Sequence, residues 1–153
     1  MKLLALETSA GPASCAVAED GRLLAVSSVN VPLTHSQTLL PMTEALLKNA
    51  ALTMADIDLL AVSAGPGSFT GIRIGVAAVK GLAFPKDLPC VGVSTLAAIA
   101  QNFQGIPGPA VVCAVMDARC QQVYTARFIL NADGSLQRES PDQAMTIEDL
   151  AAA

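Results

Sequence analysis

The sequence predicts an α/β protein of two units, each of which begins with antiparallel strands. The first observation is a meander, in which apolar or alternating segments at residues 2–7, 14–18 and 23–31 are separated by turn sequences. The second is an apolar run at residues 59–62 that leads through a glycine-rich loop into an apolar helix, the pattern of a buried strand joined to a packed helix. The third is a restart of the strand pattern after residue 109, which indicates the second unit.

Local signals mark the elements of the first unit. Asp20-Gly21 predicts a tight hairpin turn, because this dipeptide accepts the positive φ values that such a turn requires. Thr34 is the expected N-cap of a helix that runs to about residue 50, although Pro41 should kink this helix or end its first segment. Glu44 and Lys48, four residues apart, are expected on its solvated face.

The most apolar helix is predicted at residues 71–83, with Ser68 or Thr70 as its N-cap. It has almost no polar face, so it should be covered on more than one side. A buried strand at residues 90–93 and a helix that starts at Ser94 or Thr95 then complete the order βββαβαβα.

The glycine- and proline-rich residues 105–109 are the predicted linker, so that residues 1–104 form a first lobe and residues 105–153 begin a second. In the second lobe, strands are expected at residues 110–116, at residues 121–130 and near Leu136, followed by a helix that Thr146 caps. This pattern repeats the start of the first lobe without completing it. We therefore expect the second lobe to be truncated.

Composition excludes several classes of function. Hydrophobic residues make up 52% and charged residues 14% of the 153 residues, whereas a charged share of about 25% is usual. The net charge of −4 argues against stand-alone nucleic-acid binding, because neutralisation of phosphates drives that affinity. No membrane span or signal-peptide core is expected, so we predict a cytoplasmic protein with reduced cysteines. Cys90 and Cys113 lie in apolar runs and are expected in the core.

The glycine-rich loop is the first candidate site. Its spacing fits neither the Walker A motif, which needs a lysine after the last glycine, nor the Rossmann fingerprint. The backbone N–H groups of such a loop can still hold an anion. The candidate phosphate-contacting residues are Thr8, Ser9, Gly65 and Gly67, and ATP or ADP is the candidate cofactor. The alternatives are a loop shaped for close helix–sheet packing, and hydroxyl groups that satisfy the backbone of a turn.

Other candidates for catalysis are sparse. His35 is the only histidine, and a histidine at a helix start usually caps the helix or lies at the surface. The sequence has no histidine pair or cysteine cluster with metal-binding spacing and no G-x-S-x-G motif. Glu7 is interpreted either as a metal-organising carboxylate or as a solvated strand end. We therefore predict no catalytic residue, no metal and no firmly bound cofactor.

Four segments give the chain a resemblance to a known family. They are LLALETSAGPASCAVAEDG, THSQTLLPMTEALL, ADIDLLAVSAGPGSFTGIRIGVAAVKGLAF and PCVGVSTLAAIAQ. Over about residues 2–130 the chain resembles the TsaB (YeaZ) family, whose members are needed to make threonylcarbamoyladenosine in tRNA and are longer than this chain. The resemblance implies an actin-like ATPase (ribonuclease H-like) fold, with a complete first lobe of order βββαβαβα and a partial second lobe.

The resemblance also implies a role beside a catalytic paralogue, TsaD. In TsaD the helix that corresponds to residues 95–102 carries a metal-binding H-x-x-x-H motif, whereas the matching positions here are Thr95 and Ile99. The chain therefore resembles a non-catalytic subunit that dimerises with TsaD, with the ATPase TsaE completing the assembly and with tRNA contacted only indirectly. A homodimer through the same face is the alternative assembly.

The two helices with excess apolar surface are the predicted partner interface. The predicted contact residues are Leu39, Met42, Leu46, Ile72, Arg73, Val76, Val79 and Lys80. Their alternative role is burial within the same chain. Two other functions remain open: an ATPase or small-molecule kinase acting alone, which would need a complete second lobe to close a nucleotide cleft, and a protease, for which no nucleophile–base pair is found.

Overall fold

The computed structural model describes residues 1–152, and these residues form two compact units. The first unit contains Met1–Ala64 and Ser68–Val93, and the second contains Gly65–Gly67 and the chain from Ser94 onward. The predicted linker, residues 105–109, thus lies within the second unit.

Nine strands and four α-helices are found among the described residues, together with short 3-10 helices at Met54–Asp56, Phe84–Lys86 and Gln101–Phe103. The strands are β1 Lys2–Glu7, β2 Ala13–Glu19, β3 Arg22–Val29, β4 Leu59–Gly65, β5 Cys90–Ser94, β6 Ala110–Arg119, β7 Gln122–Leu130, β8 Leu136–Arg138 and β9 Gln143–Thr146. The helices are α1 His35–Asn49, α2 Phe69–Ala83, α3 Thr95–Ala100 and α4 Ile147–Ala152.

The sheet of the first unit has the order β3-β2-β1-β4-β5. Strands β1, β2 and β3 form the predicted antiparallel meander, and β4 pairs with β1 in parallel. At the hairpin between β2 and β3, Asp20 and Gly21 have φ values of 50° and 82°, the left-handed pair that the Asp-Gly sequence favours. The predicted order βββαβαβα is confirmed along the chain, although its last helix, α3, belongs to the second unit.

The core of the first unit lies between this sheet and its helices. Leu4, Leu6 and Leu60 from the sheet are at most 2% exposed, and Leu39 and Leu46 of α1 belong to the same apolar cluster. Each fully buried leucine contributes roughly 1.5–3 kcal/mol of transfer free energy. This packing against the sheet stabilises α1.

Two predictions about the helices can be judged directly. Thr34 is the N-cap of α1, and its backbone N–H donates to Gln37 Oε1 at 3.1 Å. Of the two alternatives for Pro41, an end of the first helical segment is wrong, since α1 continues through Pro41 to Asn49, whereas a kink stays a prediction. The missing N–H of Pro41 removes one helical hydrogen bond, which the burial of side chains on both sides of it offsets. Ser68, rather than Thr70, caps α2 and accepts from the Gly71 N–H at 3.2 Å.

In the second unit, β6, β7 and β8 follow one another in the sheet, and β9 also pairs with β7. Strand β9 was not predicted. The core of the second unit includes Val112 and Ala114 of β6 and Leu96 of α3. Thr146 caps α4 as predicted, with its Oγ1 accepting from the Asp149 N–H at 3.0 Å.

The burial predicted for two cysteines is wrong. Cys90 and Cys113 are both exposed free thiols. Along β6 the buried Val112 and Ala114 alternate with exposed residues, and Cys113 lies on the exposed face. An apolar run alone does not show whether both faces of a strand are covered. No helix within residues 1–152 is long and apolar enough to span a membrane.

Candidate functional site

The carboxyl end of β1 carries a hydrogen-bonded network. The Glu7 carboxylate is half-buried and accepts from two groups. Its Oε1 accepts from the backbone N–H of Ser9 at 2.5 Å, and its Oε2 accepts from the Ser63 hydroxyl of β4. Parallel pairing of β1 with β4 brings these two strand ends together. Glu7 is therefore not a solvated strand end, because both of its carboxylate oxygens accept hydrogen bonds from the protein.

Thr8 is fully buried against the start of α2. Its Oγ1 donates to the Gly71 carbonyl at 2.8 Å. A Cβ atom at Gly71 would lie 2.1 Å from the Thr8 carbonyl oxygen, and one at Gly75 would lie 2.4 Å from Thr8 Oγ1. Only residues without a side chain allow this approach of helix and strand. The two glycines, four residues apart, thus define the face of α2 that packs on β1.

The turn after β1 is also tied to both helices of the first unit. The backbone N–H of Ser68 donates to the Ser9 carbonyl at 2.7 Å. His35, the first residue of α1, donates from Nε2 to the Ala10 carbonyl at 2.9 Å, which places the ring proton on that nitrogen. His35 therefore has a structural role at the helix start, in agreement with the interpretation from sequence.

The four predicted phosphate-contacting residues fall into two pairs. In the first unit, the Thr8 hydroxyl proton is engaged by Gly71, whereas Ser9 Oγ is buried and has no hydrogen-bond partner among the described residues. In the second unit, Gly65 and Gly67 have φ values of 113° and 156°, which suit glycine. Phosphate contact, and with it nucleotide binding, stays a prediction.

The outward face of α2 is the second candidate site. Phe69 is 68% exposed although it is a large aromatic residue. The Arg73 guanidinium lies 3.8 Å from the centre of the Phe69 ring, a cation–π contact at the helix surface. Lys80 is exposed on the same side, and Ile72 and Val76 are half-buried at its margin. We refer to these five residues as the α2 face.

The remaining predicted contact residues lie elsewhere. Leu39, Met42, Leu46 and Val79 are between 1% and 8% exposed and belong to the core of the first unit. For these four side chains the structure favours the alternative of burial within the chain, because the sheet covers the apolar faces of both helices. The predicted surface is thereby narrowed to Ile72, Arg73, Val76 and Lys80. Phe69 was missed, although its spacing of four residues from Arg73 was a signal available in the sequence.

The positions that the resemblance aligns with a metal motif lie on α3. Thr95 is 4% exposed and Ile99 is half-buried. Over residues 1–152, no group of three or more His, Cys, Asp or Glu side chains is placed to hold a metal ion. The absence of a metal remains an expectation from the sequence.

Comparisons with known proteins agree with this fold. Residues 30–152 match the family model described as TsaD, tRNA N6-adenosine threonylcarbamoyltransferase. The tRNA threonylcarbamoyladenosine biosynthesis protein TsaB of Escherichia coli K12 is 36% identical over 148 residues, which cover 97% of this chain and 64% of the relative. TsaB of Bacillus subtilis 168 is 34% identical over 152 residues, with the same two coverages of 97% and 64%.

A solved structure, YeaZ from Pseudomonas aeruginosa, matches with a TM-score of 0.84 and 36% identity, covering 94% of this chain and 67% of that chain. The sheet order confirms the predicted α/β class, and this match shows that the chain has the fold of the YeaZ structure. The chain belongs to the TsaD family, in its TsaB (YeaZ) branch. It spans about 64% of the length of the curated relatives from Escherichia coli and Bacillus subtilis.

Proposed function

We propose that this chain is a non-catalytic subunit in the biosynthesis of N6-threonylcarbamoyladenosine in tRNA. In this proposal it binds a TsaD-like catalytic paralogue through the α2 face, and a TsaE-like ATPase completes the assembly. When the paralogue is absent, a second copy of the chain binds the same face. The contact with tRNA is made mainly by the paralogue.

The names of the relatives support the pathway. Both curated relatives described above are tRNA threonylcarbamoyladenosine biosynthesis proteins, and they are similar to almost the whole of this chain. The match to the TsaD family model supports a partner with the same framework. Paralogues that share a framework can pair through equivalent elements, as the two halves of a symmetric dimer do.

The α2 face is the observation that supports the mode of binding. An exposed aromatic ring on a helix surface is typical of an interaction site, and Phe69 and Arg73 are residue types enriched in such sites. Arg73 and Lys80 form no ion pair with any described residue. The complementary surface is therefore expected to be apolar with nearby carboxylates.

A non-catalytic role is supported by the side chains on α3. A threonine hydroxyl and an isoleucine, Thr95 and Ile99, cannot act together as a metal-binding pair. The single histidine is engaged by the carbonyl of Ala10. The paralogue must then supply the residues that perform the transfer.

The test is a calorimetric titration of the chain with a TsaD homologue, which measures the affinity. Phe69→Asp should weaken binding at least tenfold. It should not harm the helix, because an aspartate at the first helical position is favourable to the helix dipole. Leu23→Asp is the matched control, since Leu23 is 59% exposed on β3 of the same unit. Equal affinities for the wild type and Phe69→Asp would overturn the proposed face, and no binding by the wild type would overturn the proposed function.

A further inference from the structure

The exposed side of α2 forms a single stripe in which the side chains have a symmetric order. Its exposed members recur three or four positions apart, so they lie along one side of the helix. They are Phe69, Arg73, Ala77, Lys80 and Phe84. From either end, the order is an aromatic ring, a cation, a small residue, a cation and an aromatic ring. We refer to these five residues as the α2 stripe, which shares Phe69, Arg73 and Lys80 with the α2 face.

The α2 stripe has room for a second helix. Phe84, at the C-cap of α2, has helical φ and ψ values of −52° and −46° and is 87% exposed. Ala77 at the centre is exposed, and a Cβ atom placed at Gly81, beside Lys80, would meet no other atom within 4 Å. Small residues at a helix contact allow the two axes to approach closely. A helix that packs on the stripe would therefore lie near both cations.

The charge of the α2 stripe is entirely positive. Helix α2 contains no acidic residue, and Arg73 and Lys80 form no ion pair with any described residue. On α1, which packs against α2, the exposed Glu44 and Lys48 carry opposite charges that offset each other. The chain as a whole has a net charge of −4. A positive stripe on an acidic protein is a local feature that a partner can recognise through charge complementarity.

Pairing of the α2 stripe with that of a second copy brings like charges together. A two-fold axis places the same surface on both sides of an interface. If the two helices run antiparallel about the centre of the stripe, Arg73 of each copy lies opposite Lys80 of the other, and Phe69 lies opposite Phe84. If they run parallel, each cation faces its own counterpart. In both cases four cations meet without a carboxylate from either α2, and like charges in an interface act against the wrong partner.

We propose that Arg73 and Lys80 are the specificity-determining residues of the α2 face, which favour an acidic helical partner over a second copy of this chain. The preferred partner places two carboxylates about 10 Å apart, because the two cations are seven residues apart on a helix. It also covers Phe69 and Phe84, which lie about 22 Å apart by the same rise per residue. This inference rests on the proposed function, in which α2 is the surface that binds the paralogue.

The first test needs only this chain. In the variant with Arg73→Glu and Lys80→Glu the stripe is negative, so it complements the wild type but not itself. Fluorescence-detected sedimentation of a labelled trace of one form in an excess of either form measures each pairing separately. The mixed dimer should have a dissociation constant at least tenfold lower than that of either form alone. Raising the NaCl concentration from about 0.05 M to about 0.5 M should weaken the mixed dimer and strengthen the wild-type dimer, because salt screens attraction and repulsion alike.

The variant with Arg22→Glu and Arg119→Glu is the matched control, since it changes the net charge by the same amount. Both arginines are exposed, and neither forms an ion pair with a described residue. Its pairing with the wild type should be no tighter than that of the wild type with itself. Far-ultraviolet circular dichroism should show the same helix content for all three proteins.

The second test adds a TsaD homologue, which the charge-reversed variant should bind at least tenfold more weakly than the wild type and the control do. Equal binding by the charge-reversed variant would overturn the proposal. A mixed dimer no tighter than the wild-type dimer would also overturn it, as would an equally tight pairing of the control with the wild type. A wild type that does not bind the homologue would refute the proposed function instead, and the mixing of the two forms of this chain would still decide whether the stripe selects by charge.

Discussion

Replacement of Gly71 by alanine tests the close packing of α2 on β1. The added Cβ would lie 2.1 Å from the Thr8 carbonyl oxygen, a backbone atom that cannot rotate away. The helix must move by about 1 Å, and overpacking of this kind costs about 1–3 kcal/mol or more. The movement also breaks the bond from the buried Thr8 Oγ1 to the Gly71 carbonyl, which costs a further ~1–3 kcal/mol. Alanine returns about 1 kcal/mol through its higher helix propensity. We expect a net loss of about 3 kcal/mol.

Gly81→Ala in the same helix is the matched control. No atom lies within 4 Å of a Cβ placed there, so this variant should gain roughly 0.5–1 kcal/mol from helix propensity alone. Native-state hydrogen exchange of the α2 amides measures both changes within the first unit, and urea unfolding followed by helical ellipticity gives an independent value. If Gly71→Ala were as stable as Gly81→Ala, the close contact between α2 and Thr8 would be refuted.

Three further predictions follow from the first unit. Leu60→Ala should lower the free energy of unfolding by about 2–5 kcal/mol in urea titrations, because Leu60 is fully buried; a loss comparable to that of a surface substitution would contradict its place in the core. Glu7→Gln should lower the same quantity by about 1–3 kcal/mol, since the amide offers one acceptor oxygen where Ser9 and Ser63 need two; an unchanged unfolding midpoint would show that the network is not formed. Burial raises the pKa of the Cys15 thiol, so iodoacetamide followed by mass spectrometry should label Cys15 last of the four cysteines, and an early adduct at Cys15 would argue against its burial.

The elements were predictable because their signals are local. The hairpin at Asp20-Gly21 and the N-caps Thr34 and Ser68 depend on residues within three positions of each boundary. Hydrophobic periodicity then indicated the strand and helix order of the first unit. The helix does not end at Pro41, because the burial of α1 is a tertiary effect that outweighs a local preference.

What the sequence did not predict depends on neighbours in space. The apolar runs around Cys90 and Cys113 were interpreted as core, but both thiols are exposed, because the apolar run does not show which face of the strand is covered. For α2, the sequence indicated excess apolar surface and could not divide it between the sheet and a partner. The structure shows which part of α2 packs within the unit, with Gly71 and Gly75 against Thr8 at the end of β1 and with Phe69 exposed. The contact between Glu7 and Ser63, 56 positions apart, likewise requires the parallel pairing of β1 with β4.

The most direct test of the proposed function is the mass of the particle that forms when this chain is mixed with a TsaD homologue, measured by light scattering after size exclusion. The proposal predicts a complex with one copy of each chain for the wild type and for Leu23→Asp, and separate proteins for Phe69→Asp. Separate proteins in all three mixtures would contradict the assignment of this chain as a partner subunit.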